Sequence, residues 1–591
     1  MNGNTNEMGK RARELRGALL TLVLGYLYVD YIFWSSEGIA VTVFAIAFCA
    51  IAGTYLHLCG HKQTKRTLPW LLAVLGSASA FALTDGAEIK AVNMLFLSFA
   101  AIYWVAVTAG QQLSGGISLY SLAEPLKQFV ILPFGNFGRL FAGLFGIGFS
   151  EPQAGSGSES ATGSAAALSA DEPIRAADFH DRCCKLNGVK ADSGAAKGSE
   201  EKGSAAAEAP RLYEPAVWEP KPLSKRTKNV LASLVSLLVL VPVLVSVIDL
   251  LAEADPAFAY VVSGFNRISM PDMATVILNC VLALPVACWL FGNFHGNANG
   301  RRTELLTAEQ MEVALPKLQL LPKVTVYGFL GVLSAIYGLF FLSQLGYFFA
   351  AFASKLPETM TYAEYARRGF FELCSVSGIN LAVLGGAWLF LDRDKKEAQT
   401  GDFKPSKGLT IWTVVLSAFT LLLLVTAFSK MVLYIDSYGL THKRIYTTCF
   451  MAFLFLVFLA IILRRFCKFP AVKLLAAAFI CGFLVLNLVN VDGIIAGHNI
   501  DRYIEATEEG RPAVLDVESL HYLSDGAVPV IYDRYCKTSD PVLKQQLKKA
   551  ITGQLDLGHH YNNLEYRNHL ESWKDWNLQY QVAKNIREKF F

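Results

Sequence analysis

The chain has 591 residues, of which 53% are hydrophobic and only 17% are charged, and its formal net charge is +4 at pH 7. Soluble domains carry roughly 25% charged residues, so this composition excludes an ordinary soluble protein. The small net charge argues against nucleic acid as a partner.

Apolar stretches of membrane-spanning length recur along the sequence. Each is close to the ~20 residues that a helix needs to cross about 30 Å of hydrocarbon. We therefore predict an all-α fold, a polytopic transmembrane helical bundle of about 11 spans with a small helical C-terminal tail. The predicted spans are residues 17–34, 39–59, 68–85, 91–109, 229–251, 274–294, 324–351, 370–391, 410–433, 445–463 and 471–491.

The first span follows Arg11, Arg13 and Arg16 and is not followed by a small-residue cleavage site. It is therefore predicted to be a retained anchor rather than a removed signal peptide. Short loops rich in Lys and Arg follow the second, sixth, eighth and tenth spans, and such loops face the cytoplasm. We therefore expect a cytoplasmic N-terminus and, with an odd number of spans, an extracytoplasmic C-terminus.

Residues 126–149 form a further apolar stretch, rich in Gly and Phe. Counting it as a span would place all the later basic loops outside, against the charge rule. We interpret it instead as an interfacial or re-entrant helix on the cytoplasmic face, broken by Pro133 and Gly135.

Composition divides the chain into four regions. Residues 1–150 hold four spans and the interfacial helix, and 151–226 are an Ala/Gly/Ser-rich segment that we predict to be a disordered cytoplasmic linker. Residues 227–491 form the main membrane domain of about seven spans. The polar tail, 492–591, has helical patterning, with Asp525 and Gly526 marking a turn.

Polar residues concentrate at span ends on the predicted outer side, and one amide, Gln344, lies inside an apolar run. Polar groups at such depth usually face the protein interior or a watery cavity. The plainer interpretation is that these residues cap helices and pair with one another; the sharper one is a shared pocket that binds a substrate, an ion or a lipid headgroup. The candidate outer cluster comprises Asp255, Glu364, Arg367, Arg368, Glu372, Asp436, Tyr438, Arg444, Asp492, Asn499 and Arg502.

Three segments are expected to converge on the outer face: the loop into the eighth span, the join of the ninth and tenth, and the start of the tail. Their charges have both signs, so at least one carboxylate–arginine contact within ~4 Å is expected to link two of them. Candidate metal ligands are sparse. His57 and His61 share a helix end, and Cys183 and Cys184 lie in a polar segment, so no metal or cofactor is predicted.

Several strings, in one order, carry a family resemblance. They are LLAEADPAF, SQLGYFFAAF, TYAEYARRGFFEL, YIDSYGLTHKR, HNIDRY and LDVESLHYLSDGAVPVI, between Asn229 and about Tyr535. The chain resembles the domain-of-unknown-function family numbered 4173, which is related to the one numbered 4153. The resemblance implies a multi-pass bacterial plasma-membrane protein and supplies no catalytic residues.

Three functions stay open at this stage. The favoured one is a structural, sensory or envelope-assembly protein that meets the lipid bilayer and a protein partner through its tail or its linker. The first alternative is a transporter or a small-molecule or lipid-binding protein, in which the cluster lines a cavity. The second is a membrane enzyme acting on a lipid-linked substrate, with Glu364, Glu372 or Asp436 as acid/base and nearby arginines on phosphate. No catalytic motif fixes a reaction, so the sequence leans away from an enzyme.

Overall fold

The structure is a computed structural model, and it describes residues 2–34, 38–113, 121, 123–145, 270–352, 370–391, 407–512, 514–552 and 573–590. Within these ranges the regular elements are helices, and the only extended pairing is an isolated bridge between Leu321 and Leu391. The predicted all-α class is confirmed.

We number the principal helices in chain order. Helix α1 continues into a π-helical turn, Val29–Phe33, and α5 begins with one, Leu126–Ile131. The helices are α1 Asn2–Tyr28, α2 Ile39–Leu58, α3 Leu68–Leu83, α4 Ala87–Ala109, α5 Leu126–Gly135, α6 Arg139–Phe145, α7 Met270–Asn299, α8 Ala308–Leu318, α9 Lys323–Phe352, α10 Phe370–Phe390, α11 Lys407–Tyr438, α12 His442–Phe466, α13 Ala471–Leu488, α14 Val491–Glu508, α15 Val517–His521, α16 Val528–Lys537, α17 Pro541–Thr552 and α18 Leu578–Arg587.

Nine helices in the described ranges are long and apolar enough to cross a membrane, and each coincides with a predicted span. The predicted span 68–85 corresponds to α3, which has only 16 residues. The predicted span 229–251 and the linker 151–226 lie outside the described residues. Local sequence explains where two of these helices begin and end. Pro69 lies in the first turn of α3, where a missing N–H costs nothing. Helix α4 ends at Gly110, whose φ of 70° is the left-handed conformation that glycine tolerates.

Helices α5 and α6 form the broken element expected at residues 126–149. They meet at a bend of 43°, as a broken span or a re-entrant loop would. The two helices are separated at residues 136–138, directly after Gly135. Pro133 lies inside α5 and has no N–H to offer the carbonyls of Gln128 and Phe129, four to five residues earlier.

Helix α7 supplies the missing donors. Asn293 Nδ2 donates to the carbonyl of Gln128 at 2.8 Å, and Trp289 Nε1 donates to that of Phe129 at 3.1 Å. Gly292 lies between these two donors, and a Cβ there would be 2.5 Å from the carbonyl oxygen of Pro133. Because glycine has no side chain, α5 and α7 can approach closely enough to form these hydrogen bonds.

Buried apolar side chains form three clusters. The first joins α1–α4 with α6 and α7, the second joins α9–α12, and the third lies within the tail helices α14–α18. Helix α13 packs beside α4, where the rings of Phe96 and Phe483 are 4.8 Å apart between centroids. The three clusters therefore correspond to two groups of membrane helices and a tail with a core of its own.

Large apolar side chains remain exposed on the outer surfaces of the long helices. On α9 they form a stripe at helical spacing, Phe329, Val332, Ile336 and Leu339, each more than half exposed. Such a surface is stable only against lipid or another apolar partner, which agrees with a membrane-embedded bundle.

Candidate functional site

The join between α11 and α12 contacts the first tail helix, α14, through hydrogen bonds from its backbone to a side chain of that helix. Asn499 of α14 accepts from the N–H of Leu440 at 2.7 Å and donates to its carbonyl at 3.0 Å. Gly439 precedes Leu440 with φ 75°, and a side chain there would collide with Asn499. The glycine therefore makes both the turn and the contact possible.

Two arginines cap the C-terminal end of α11. Arg444, which is buried, donates to the carbonyl of Gly439, and its guanidinium lies 4.1 Å from the ring centroid of Tyr434. Arg502 Nη2 donates to the carbonyl of Ser437 at 2.7 Å. Carbonyls in the last turn of a helix lack helical donors and carry partial negative charge, so cations are favourable there.

A histidine–aspartate contact lies beside this join. His442 Nε2, at the start of α12, is 2.8 Å from Oδ1 of Asp492, in the first turn of α14. The N–H of Ser524 donates to the same oxygen at 3.1 Å, and Glu88 Oε2 is 3.8 Å from His442 Nδ1. Burial opposes the charge on Asp492, but the hydrogen bonds from His442 and Ser524 outweigh it and hold the pKa of Asp492 below its usual value.

The α3–α4 loop binds a different part of the tail. Asp85 Oδ1 accepts from Asn577 Nδ2 at 2.9 Å, and the Asp85 N–H donates to Gln579 Oε1 at 2.8 Å. The Asp525 N–H approaches the other carboxylate oxygen at 3.4 Å, and Lys90 Nζ is 3.9 Å from Oδ1. Burial, with the nearby charge of Asp525, raises the pKa of Asp85.

The α1–α2 connection also meets the tail. Lys574 Nζ is 2.7 Å from Asp30 Oδ1, and the N–H of Ile39 donates to the carbonyl of Trp576 at 2.9 Å. The backbone of Lys574 passes so close to Gly38 that a Cβ on this glycine would collide with it. Three connections between membrane helices thus meet the tail at one end of the bundle.

Most of the charged side chains where the tail meets the three connections are paired with one another. Arg587 Nη2, for example, is 2.5 Å from Oδ1 of Asp525, whose side chain is only 1% exposed. Among the described residues no group of three or more His, Cys, Asp or Glu is placed to hold a metal ion. The arrangement is therefore suited to holding the tail on the bundle.

The predicted outer cluster is only partly assembled here. Arg444, Asp492, Asn499 and Arg502 lie together, and the half-exposed ring of Tyr438 has its centroid 5.9 Å from the Arg444 guanidinium. Glu372 and Asp436 are exposed at helix ends. Gln344 lies on α9, and its side chain lies outside the described part of the structure. Outside the described residues altogether are Asp255, Glu364, Arg367, Arg368, Cys183 and Cys184.

In the described parts of two of the three segments, a His–Asp contact and hydrogen bonds between the Asn499 side chain and the backbone of Leu440 join them. The loop into the eighth span lies outside the described residues, so the expected carboxylate–arginine contact stays a prediction. His442 lies in the same string as Arg444 and was the missed signal. Asp85, Asp525 and Lys574 carry no such local signal, because their partners are hundreds of residues away or in another tail helix.

Helices of this length and apolarity, with a folded polar tail, define a polytopic α-helical membrane protein of uncharacterised role. The sequence model of one family, described as Domain of unknown function (DUF4153), matches residues 209–533, more than half of the chain. The chain belongs to this family, which is the relative of family 4173 named above. No curated protein and no solved structure gives a significant match.

Proposed function

We propose that this protein has a structural, sensory or envelope-assembly role in the plasma membrane, with the tail acting as an extracytoplasmic clamp on the membrane helices. One observation carries the proposal: the tail bonds to both groups of spans. Lys574 and Asn577 contact the α1–α2 and α3–α4 connections, and Asp492 and Asn499 contact the α11–α12 join. A partner that pulls on or binds the tail would therefore act on both groups.

Loop charge supports the proposed orientation. The connections that touch the tail around residues 34–39 and 84–87 contain no Lys or Arg, whereas the opposite ends of α2 and α12 carry Lys62, Lys65, Arg66, Arg464 and Arg465. Short basic loops stay in the cytoplasm. The N-terminus is accordingly cytoplasmic and the tail extracytoplasmic.

Two native cysteines test the orientation. Cys536 in the tail helix α16 and Cys467 at the far end of α12 are both exposed, and α13 lies between them in the chain. In intact cells a membrane-impermeant maleimide is expected to label Cys536, and to label Cys467 only after permeabilisation. A Cys467→Ser and a Cys536→Ser variant identify each signal. The reverse pattern would overturn the orientation.

The clamp is tested by loosening it without removing the tail. Lys574→Met with Asn577→Leu removes contacts to both N-terminal connections. In a strain lacking the gene, this variant is expected to reach the membrane at normal level but not to restore envelope integrity. Arg511→Met is the matched control, because its pair with Glu509 is largely exposed. Full complementation by the clamp variant or by a chain without the tail would exclude this role.

A transport or ligand-binding function is the second candidate, and one observation favours it. Tyr337 Oη donates to Asn380 Oδ1 at 2.6 Å, and Asn380 Nδ2 donates to Thr420 Oγ1 at 2.9 Å, all three buried among membrane helices. Polar networks at such depth often line a pathway. If Asn380→Leu abolished a solute flux that the clamp variant left intact, transport would be the better description.

The chain can also be compared with the related family numbered 4173. Membership of family 4173 within this group is a proposal that rests on the strings quoted above, such as YIDSYGLTHKR and HNIDRY. A family model of 4173 that matched the same region better would support it.

A further inference from the structure

Seven basic side chains in two short connections have no carboxylate partner within the described ranges. One connection joins α2 to α3, and the other joins α12 to α13. The stretches 57–68 and 462–475, which include the flanking helical turns, contain no Asp or Glu. The cations of this basic surface, all exposed except the half-buried Arg465, are Lys62, Lys65, Arg66, Arg464, Arg465, Lys468 and Lys473.

The two connections lie at the end of the bundle opposite the tail. Helix α12 begins at His442, which contacts Asp492 of the tail, so the last turn of α12 lies at the far end. Helix α3 is followed by Gly86, where a Cβ would lie 3.4 Å from Oδ2 of the same Asp492. Helix α3 therefore also begins at the far end, and the two groups of cations share it.

Helices α3 and α13 place the two connections side by side. Both helices end beside Asp492 and so run in the same direction, and a Cβ at Gly76 of α3 would lie 3.4 Å from Leu484 of α13. Lys65 lies eleven residues before Gly76. Lys473 lies eleven residues before Leu484, which is about 16 Å along a helix. The cations of the two connections are therefore at similar depths on neighbouring helices.

Exposed apolar side chains continue this surface toward the middle of the bundle. Leu68 and Leu72 of α3 and Leu474 of α13 are each more than half exposed. Phe466, which lies among the cations of the second connection, is 76% exposed. Helices of this apolarity belong in hydrocarbon, so these side chains face acyl chains while the neighbouring cations reach the headgroups.

A third connection at this end has a different composition. His61 contacts the carbonyl of Ala298, near the end of α7, at 2.9 Å, so the α7–α8 connection also lies here. Its basic residues are accompanied by Glu304 and Glu309. A uniformly positive surface is therefore a property of the α2–α3 and α12–α13 connections rather than of every loop at this end.

We propose that the basic surface binds anionic phospholipids, with the phosphates held by its Lys and Arg side chains and the acyl chains packed on the exposed leucines. Guanidinium and ammonium groups donate to phosphate oxygens, and each basic side chain near a membrane surface adds to the attraction for anionic lipid. The apolar side chains beside the cations favour a lipid over a soluble anion or an acidic protein segment. The binding requires only that these helices are embedded, so it does not depend on the clamp or on which leaflet this end meets.

Native mass spectrometry of the full-length protein in detergent measures the binding directly. Phosphatidylglycerol and phosphatidylcholine with the same acyl chains are added separately, and the lipid-bound fraction is followed with concentration. We expect phosphatidylglycerol to bind at least about fivefold more tightly, which is the effect of a single Lys or Arg near an anionic surface. Equal affinities for the two lipids would overturn the proposal. Displacement of phosphatidylglycerol by an equal concentration of glycerol 3-phosphate would also overturn it, because the ligand would then be a soluble anion.

Charge variants locate the site. One variant removes three cations from the α12–α13 connection, and its matched control removes three exposed cations from the tail. The test variant is Arg464→Gln with Arg465→Gln and Lys468→Gln, and the control is Arg511→Gln with Lys548→Gln and Lys584→Gln. The preference for phosphatidylglycerol is expected to fall toward equality in the test variant and to be unchanged in the control. An unchanged preference in the test variant, or an equal loss in both, would contradict the proposed site.

A smaller change tests the other connection, because removing many basic loop residues can disturb membrane insertion. Lys62→Gln with Lys65→Gln leaves the α12–α13 connection intact and is expected to lower the preference for phosphatidylglycerol as well. An unchanged preference in this variant would contradict a surface shared by the two connections. The comparison of the two lipids on the wild-type protein needs no variant and decides the proposal even if a substituted chain fails to insert.

Discussion

His442 and Asp492 lie 2.8 Å apart, and they join the first turn of a membrane helix to the first turn of the tail. Asp492 is only 5% exposed, and it also accepts from the backbone N–H of Ser524 in the turn before α16. One carboxylate therefore fixes the relative positions of α12, α14 and the 524–527 turn. The position at the N-terminus of α14 adds a favourable interaction with the helix dipole.

Replacing this carboxylate is expected to destabilise the protein in a pH-dependent way. Asp492→Asn should cost about 1.5–3 kcal/mol at neutral pH, as expected for a hydrogen bond to a charged group. The folded pKa of Asp492 is lowered, so its contribution is present above the ordinary pKa and is lost as pH falls through the folded value.

The measurement is the thermal unfolding midpoint of the purified protein in detergent at a series of pH values. The gap between wild type and Asp492→Asn should narrow on acidification. Glu508→Gln, an exposed carboxylate at the other end of α14, is the control and should leave the midpoint unchanged. A gap that is constant with pH would mean that the charge on Asp492 is not what stabilises the junction.

Arg587 is expected to be essential to the tail core. Arg587→Met would leave Asp525, 1% exposed, as a buried charge without its arginine, at a cost of about 3–5 kcal/mol. Adding Asp525→Asn should recover much of the loss, because the uncompensated charge is then gone. Thermal unfolding of the single and double variants measures this coupling, and Arg511→Met should change stability by less than about 1 kcal/mol. Additive effects of the two substitutions would contradict the pairing.

Substitutions at two helical glycines test how closely α7 approaches the broken helix, with one glycine as the test and the other as its control. A Cβ at Gly292 would lie 2.5 Å from the carbonyl oxygen of Pro133, whereas one at Gly385 would meet nothing within 4 Å. Gly292→Ala should therefore destabilise the protein by about 1–3 kcal/mol through overpacking. Gly385→Ala should be neutral or stabilising by up to about 1 kcal/mol, because alanine is the better helix former. Equal unfolding temperatures for the two variants would show that α5 and α7 do not approach so closely.

Asn293 is expected to stabilise the broken helix by replacing a backbone donor. Asn293→Leu would leave the carbonyl of Gln128, which Pro133 cannot serve, without its 2.8 Å hydrogen bond, at a cost of about 1–3 kcal/mol. Ile277→Leu, an apolar exchange at an exposed position on the same helix, is the control. Unfolding in one detergent compares them, and an unaffected Asn293→Leu variant would argue that water satisfies this carbonyl instead.

Residues that are close in sequence determined much of the fold. The positions of most spans follow from hydropathy over about 20 consecutive residues, which is a local property. The interruption of the 126–149 segment was also predictable, because Pro133 and Gly135 are both poor residues for a helix interior wherever that helix packs. Even the turn at Asp525 and Gly526 follows from the types of residue present.

The tertiary structure alone decided which polar residues meet. Asp85 and Asn577 are separated by 492 positions, and nothing around either residue specifies the other. The sequence around Gln128 likewise does not specify Asn293. Pro133 leaves the carbonyl of Gln128 without a backbone donor, but the donor that replaces it comes from a distant helix. Hydropathy places a helix in the membrane, whereas polar partners are chosen by how the packed helices align, because each buried group must find a partner in its own surroundings.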